Sequence, residues 1–215
     1  MYKNSEKGRS MIEMLGVLAI IGVLSVGGIA GYSKAMEKFK INKIIDDYNA
    51  LIFGLLEHRQ SFQENTVGEP NLTDIVMALN LVPNSWTKLN EMYLQDSYGN
   101  WVNVRYRQTN SGYSEFDKEG FIIDFNLGGL NIDDAGNRSS DNFNDKVCFE
   151  MFRNVIQPLH NTINGVIMVG GTGWYYGDSW CRNNVSCLNN MTLSQMKTSC
   201  LSCNKQRRCN VTVIF

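Results

Sequence analysis

The chain has 215 residues, a formal net charge of −1 and a pI near 6.1. That length holds one domain with a core of its own, or one domain plus an anchor. The balanced charge leaves no basic footprint for DNA or RNA, so nucleic acid is not expected as a partner.

The first predicted element starts near the N-terminus, where the apolar residues crowd. "EKGRSMIEMLGVLAIIGVLSVGGIAGYSK" occupies Glu6 to Lys34, and Met14 to Tyr32 is a run of 19 residues without a charge. As a helix that run is about 28 Å long, close to the roughly 30 Å hydrocarbon core of a bilayer. One carboxylate, Glu13, lies two residues into the apolar stretch that begins at Met11. A secretory signal would have a shorter apolar core followed by a small-residue cleavage site, and the small residues of "SVGGIAGYSKA" keep that reading open. Glu13 has no use in a signal core, and the unbroken run argues against a buried helix of a soluble domain.

These residues resemble the N-terminus of type IV pilins and pseudopilins. A polar leader with Lys3 and Lys7 ends at Gly8, a glutamate follows five residues later, and an apolar helix with "AIIGVL" leads to Tyr32. The resemblance covers about 35 residues. It implies that a prepilin peptidase cuts after Gly8 and methylates the new amine of Arg9. Loss of Lys3, Glu6 and Lys7 would take the formal charge from −1 to −2. The helix would anchor the protein in the inner membrane by a single pass until an assembly platform draws it into a filament. Glu13 costs at least about 2 to 3 kcal/mol in lipid when unpaired. The resemblance pairs it with the amine of Arg9 on a neighbouring subunit, which fixes register; a carboxylate snorkelling to the interface is the plainer alternative. The sequence departs from the family pattern at Arg9, where Phe or Met is usual, and at Ala30, where many members carry a helix-kinking proline. Lysines also flank both ends of the span, so the positive-inside rule does not set its direction.

Past the span, Ile41, Ile44, Ile45, Tyr48, Leu51, Ile52, Leu55 and Leu56 recur at helical spacing, with Lys43, Asp46, Asp47 and Asn49 between them. Together these predict one rod from about Ser10 to Phe62, on the order of 75 Å long. The resulting plan is a leader over 1–8, an assembly half over 9–33, an amphipathic half over 34–62 and a globular head over 63–215. In the head a helix is expected over about Leu72 to Leu81, with Ile75, Leu79 and Val82 on one side, stopping before Pro83. A turn at Ser97 to Asn100 precedes a strand from Trp101 to Tyr106, and a second strand covers Glu119 to Asn126. A polar loop from Asn131 to Asp145 leads to a helix capped by Asp145, with Val147, Phe149, Met151, Phe152 and Ile156 as apolar candidates. "NGVIMVG" and "CNVTVIF" read as further strands.

All six cysteines, Cys148, Cys181, Cys187, Cys200, Cys203 and Cys209, fall in the C-terminal part. An even, clustered count reads as disulfides outside the cytosol. The Cys200-x-x-Cys203 spacing leaves zinc and a redox-active pair as rivals, although no second CxxC accompanies it. The pairing stays open. The order of elements is also similar to type IVb-like pilins, through Leu81-Val82-Pro83, Tyr98-Gly99 and a cysteine, Cys148, at the start of a helix. In that family the late cysteine pairs across a disulfide-bounded C-terminal region.

The expected fold is therefore α+β: a long N-terminal helix packed on an antiparallel sheet, with a disulfide-rich region over 148–209. Neither His58 nor His160 sits in a catalytic motif, and HExxH, GxSxG and P-loop patterns are absent from the sequence. No enzyme activity, cofactor or metal is expected; Asp133, Asp134 and Asp141 match no EF-hand spacing. Trp174, Tyr175, Tyr176 and Trp180 read as core and turn residues ahead of a binding patch. Two functions are consistent with these features. One is a structural subunit of a type IV pilus or periplasmic pseudopilus, with other pilin subunits, the peptidase, the platform and lipid as partners. The other is a single-span membrane protein whose disulfide-rich extracytoplasmic head binds a ligand.

Overall fold

The computed structural model describes residues 11–63, 70–107, 119–134 and 136–215. The leader expected over 1–8, with Gly8, and Arg9 lie outside these residues. The chain divides into two compact units, one reaching Lys40 and the other running from Ile41 to Phe215. Residues 41–57 of the first helix thus belong with the head.

That helix, α1, spans Met11–Glu57. It ends earlier than the expected rod. His58 is a turn residue, and a short helix α2, Arg59–Gln63, carries Phe62 into the core. The amphipathic reading of the second half holds: Ile44, Ile45, Tyr48, Leu51, Ile52 and Leu55 are buried, with Ile41 and Leu56 packed at the margin. Each such side chain contributes roughly 1.5 to 3 kcal/mol when fully buried.

The expected helix at Leu72 is shorter and faces differently. α3 covers only Thr73–Ala78. Leu72 and Val76 point into the core, while Ile75 and Leu79 are exposed, contrary to the sequence reading. The stop is a Schellman closure: Leu81 N–H donates to the Val76 carbonyl and Asn80 N–H to that of Met77, with Asn80 at a positive φ of 52°. Helix spacing counted through Leu81 therefore ran past a chain reversal.

Among the described residues, the strands form a seven-stranded sheet in the order β1 (Thr87–Lys88), β2 (Leu94–Gln95), β3 (Trp101–Arg107), β4 (Gly120–Asn126), β9 (Asn210–Ile214), β7 (Gly165–Val169), β8 (Trp174–Tyr176). Every neighbouring pair is antiparallel. The four strands expected from sequence are present, and β9 lies between β4 and β7. The predicted polar loop contains a separate small hairpin, β5 (Asn131–Ile132) with β6 (Arg138–Ser139).

One face of the sheet carries Val104, Tyr106, Phe121, Ile123, Phe125, Val211, Val213 and Val166, and these share a single core with the α1 stripe. Tyr48 on α1 meets Phe125 on β4 with ring centroids 4.6 Å apart, and Phe62 meets Phe121 at 5.2 Å. The helix α4, Asp145–Met151, adds Val147, Cys148 and Met151 to that core. Its cap is Asn144 rather than Asp145: the Asn144 side chain accepts from the N–H groups of Lys146 and Val147. Asp145 instead supplies negative charge to the first turn. A π-helical segment, Phe152–Ile156, follows, and Val155 there is buried while Phe149 is only half-buried. A helix absent from the sequence reading, α5 (Leu193–Leu201), starts at a capping box of Thr192 and Gln195.

Tyr48 ties α1 to the turn before β3. Its hydroxyl donates to Asp96 Oδ2 at 3.1 Å. Asp96 also accepts from the backbone of Tyr98 and Asn100 and from the Asn100 amide. Gly99 closes this turn at φ +86°, a conformation that needs glycine. Burial, and then the Asp96 carboxylate beside it, hold the Tyr48 phenol well above its ordinary pKa. In the unfolded chain the phenol ionises near about pH 10. The folded form keeps its proton to higher pH, so its stability falls as pH rises above that value. Tyr48→Phe is expected to lose about 1 to 2 kcal/mol at neutral pH, from the missing hydrogen bond. The same variant should lose less further stability than the wild type between about pH 9 and pH 11, by about 1.4 kcal/mol per unit at most. Denaturant unfolding at both pH values measures the two effects.

Candidate functional site

The unit ending at Lys40 presents a bare apolar helix. Side chains from Leu15 to Ile29 are exposed all round, from Ile21 at 52% to Val23 at 75%. An uncovered apolar surface of this kind is far beyond what a monomer keeps in water. The helix is long and apolar enough to cross a membrane, and none of its most apolar window is buried by the chain. Glu13 stands in its first turn, exposed, where a carboxylate suits the positive end of the helix dipole. A Cβ placed on Gly16, Gly22, Gly27, Gly28 or Gly31 would meet nothing within 4 Å. Each glycine costs a helix interior roughly 1 kcal/mol against alanine. No packing inside the chain requires them.

All six cysteines are joined, as Cys148–Cys200, Cys181–Cys187 and Cys203–Cys209. Cys200 and Cys203, the two that suggested a metal or redox pair by spacing, bond to different partners. The first bridge ties α4 to α5 inside the core, where both cysteines are buried. The other two close loops at six-residue separation.

The other residues singled out in the sequence have these surroundings. Among the described residues, no group of three or more His, Cys, Asp or Glu side chains is placed to hold a metal ion. Asp133 is engaged in its own hairpin, where it accepts from the Asn137 backbone and amide at 2.7 and 2.8 Å. His160 faces Asp178 at 2.8 Å in an exposed pair, and Asn189 donates to the same carboxylate. Tyr175 packs edge-on against Phe152, and Tyr176 and Trp180 pack on Ile122 and Ile214. Trp174 keeps 43% exposure.

The sequence reading missed a charged cluster on the sheet face turned away from α1. Asp124 on β4 is 5% exposed. Its Oδ2 accepts from Arg105 at 3.1 Å and Arg208 at 3.3 Å, and its Oδ1 from Thr212 at 2.6 Å and Asn210 at 3.2 Å. Asp124 and Thr212 lie 88 positions apart in sequence and become direct neighbours through β4–β9 pairing. No local motif joins these residues. The only trace in the sequence is polar residues at alternate positions of otherwise apolar strands.

The chain matches no family model, no curated protein and no solved structure.

The three bridges differ in the length of chain they close. Cys148–Cys200 spans 52 residues and Cys181–Cys187 spans six. In the loop-entropy model these correspond to about 4 and about 2 kcal/mol. Replacing Cys148 and Cys200 together by Ala is expected to lower stability by clearly more than replacing Cys181 and Cys187 together. Guanidinium unfolding of the full chain in detergent gives the comparison.

Proposed function

We propose that this chain is a filament subunit of the type IV pilin and pseudopilin kind. The observation that carries the reading is the bare apolar helix with Glu13 near its start. A helix whose most apolar window is left wholly unburied by its own chain needs lipid, other helices, or both in succession. The unexplained glycines fit the second environment, because small residues let helix backbones approach closely where no hydrophobic effect drives them together.

The leader and the carboxylate then work in sequence. Cleavage after Gly8 leaves the α-amine of Arg9, one positive charge close to Glu13 along the chain. Glu13 is penalised in lipid when alone and relieved when the amine of a neighbouring subunit reaches it. A penalty that only a neighbour removes drives assembly and sets the axial register. The membrane half anchors the subunit beforehand, and the disulfide-stapled head meets the outside, where oxidising conditions keep the bridges closed. A single-span receptor with a ligand-binding head is the second reading, favoured by the concave, charged outer face of the sheet.

Two measurements separate these readings. Mass analysis of the membrane-extracted protein is expected to place the mature N-terminus at Arg9. An N-terminus at Met1 would rule out processing and favour the receptor. Glu13→Val is expected to be cleaved and retained in the membrane as the wild type is, yet to enter sheared filaments about tenfold less well or worse. Normal filament yield from that variant would remove the register role.

A further inference from the structure

The outer face of the sheet holds a cavity of about 310 Å³. Its floor is one register row that crosses five strands: Asn103, Asp124, Thr212, Ile167 and Trp174. Because side chains alternate along a strand, residues paired in this way share one face. The adjoining row brings Arg105, Ile122 and Ile214 beside it. Arg208 closes one side of the cavity, and Met92 and Tyr93 also line it.

The charges are unequal. Two guanidinium groups meet one carboxylate, and Asp124 is the sole acidic residue among those lining the cavity. Asp124 is also saturated, with four donors on its two oxygens, so it orients the arginines and has little capacity for a ligand's donors. Arg208 has capacity to spare. Its Nη2 reaches Asp124, while its Nε is buried without a hydrogen-bond partner. Its side chain keeps 31% exposure, and an anion in the cavity adds a charge-assisted hydrogen bond at the open edge of the guanidinium.

Arg208 is held in place by its own staple. The Cys203–Cys209 bridge closes the loop that carries it. Asn204 N–H donates to the Gly170 carbonyl, Ser140 N–H to Lys205, and Cys209 N–H to Ser140 Oγ. Gly170 has φ +75°, and a Cβ there would run into the Arg208 carbonyl, so the two backbones touch. A cation fixed by covalent and hydrogen bonds loses little entropy on binding. The other walls are apolar or aromatic: Ile122, Ile167, Val169, Ile214, Met92 and the exposed ring of Trp174. A concave, mostly apolar cavity with few convergent polar groups, at the small end of the size range, is the usual form of a small-molecule site.

We propose that this cavity binds a small organic carboxylate with a single-ring body. The carboxylate sits on Arg208 and Arg105, whose planar forks match its two oxygens. The ring lies on Ile167 and against Trp174. Sugar acids and aromatic acids share this chemistry. The site belongs to the head alone and stands whether or not the chain forms filaments.

Saturation-transfer NMR on the full chain in detergent micelles tests it, with empty micelles as blank. The probes are glucuronate and phenylacetate, each beside its neutral amide. At least one carboxylate is expected to bind, with its amide weaker by about tenfold or more. Which of the two binds tells whether the ring is a sugar or an aromatic. Arg208→Gln should weaken the bound carboxylate by about tenfold. Asp124 keeps Arg105, Thr212 and Asn210 in that variant, so its thermal midpoint should stay close to the wild type's. Binding of neither carboxylate, equal binding of an amide, or full affinity in a folded Arg208→Gln protein would each overturn the proposal.

Discussion

Everything from Ile41 onward depends on one contact surface, the buried stripe of α1 against the inner face of the sheet. Tyr48 is its centre: fully buried, ring against ring with Phe125 and Trp86, and hydrogen-bonded to Asp96. Through Asp96 the helix fixes the turn that starts β3, and through Asn100, whose side chain accepts from Gly128 N–H, it fixes the chain leaving β4. A polar group so deeply buried is tolerable only because every step of that relay is satisfied. The same helix, earlier in the chain, carries side chains of equal hydrophobicity and, among the described residues, buries none of those in its most apolar window.

The α+β class and the strands β3, β4, β7 and β9 were legible because α1 keeps a period of 3.6, β3 partly alternates, and the other strands are short runs rich in β-branched and aromatic residues. The apolar stripe from Ile44 to Leu55 was read as it stands, although Asp47, taken with the polar residues, is also buried. Reading failed where local closure overrides periodicity. α3 stops at the Asn80 reversal, so Ile75 and Leu79 face solvent while Val82, past the reversal, is buried, and the three do not share one side. α5 was hidden inside the cysteine region, although Thr192-x-x-Gln195 is a start pattern visible in the sequence. β1, β2 and β8 are two or three residues long, too short for any period.

The cysteine pairing and the Asp124 cluster were illegible for a different reason. The Asp124 cluster and the Cys148–Cys200 bridge are made by pairings between distant segments, and the close spacing of Cys200 and Cys203 misleads, because each bonds to a different partner. The bridges also divide their labour. One locks two helices within the core, and the short ones shape surface loops. The loop closed by Cys203 and Cys209 delivers Arg208 to the sheet, so a covalent feature of the backbone ends as an electrostatic feature of a cavity.

The position of β9 constrains how the head is made. β4 and β7 become neighbours only through residues 210–214, which insert between them. Until that segment has been synthesised, β4 has β3 on one side and an open edge on the other. Contacts of such sequence separation form late and slowly. An open, apolar strand edge is a template for pairing with other chains. Folding of the head thus contains an interval in which the edge of β4 is sticky, ended only when residues 210–214 pair with it.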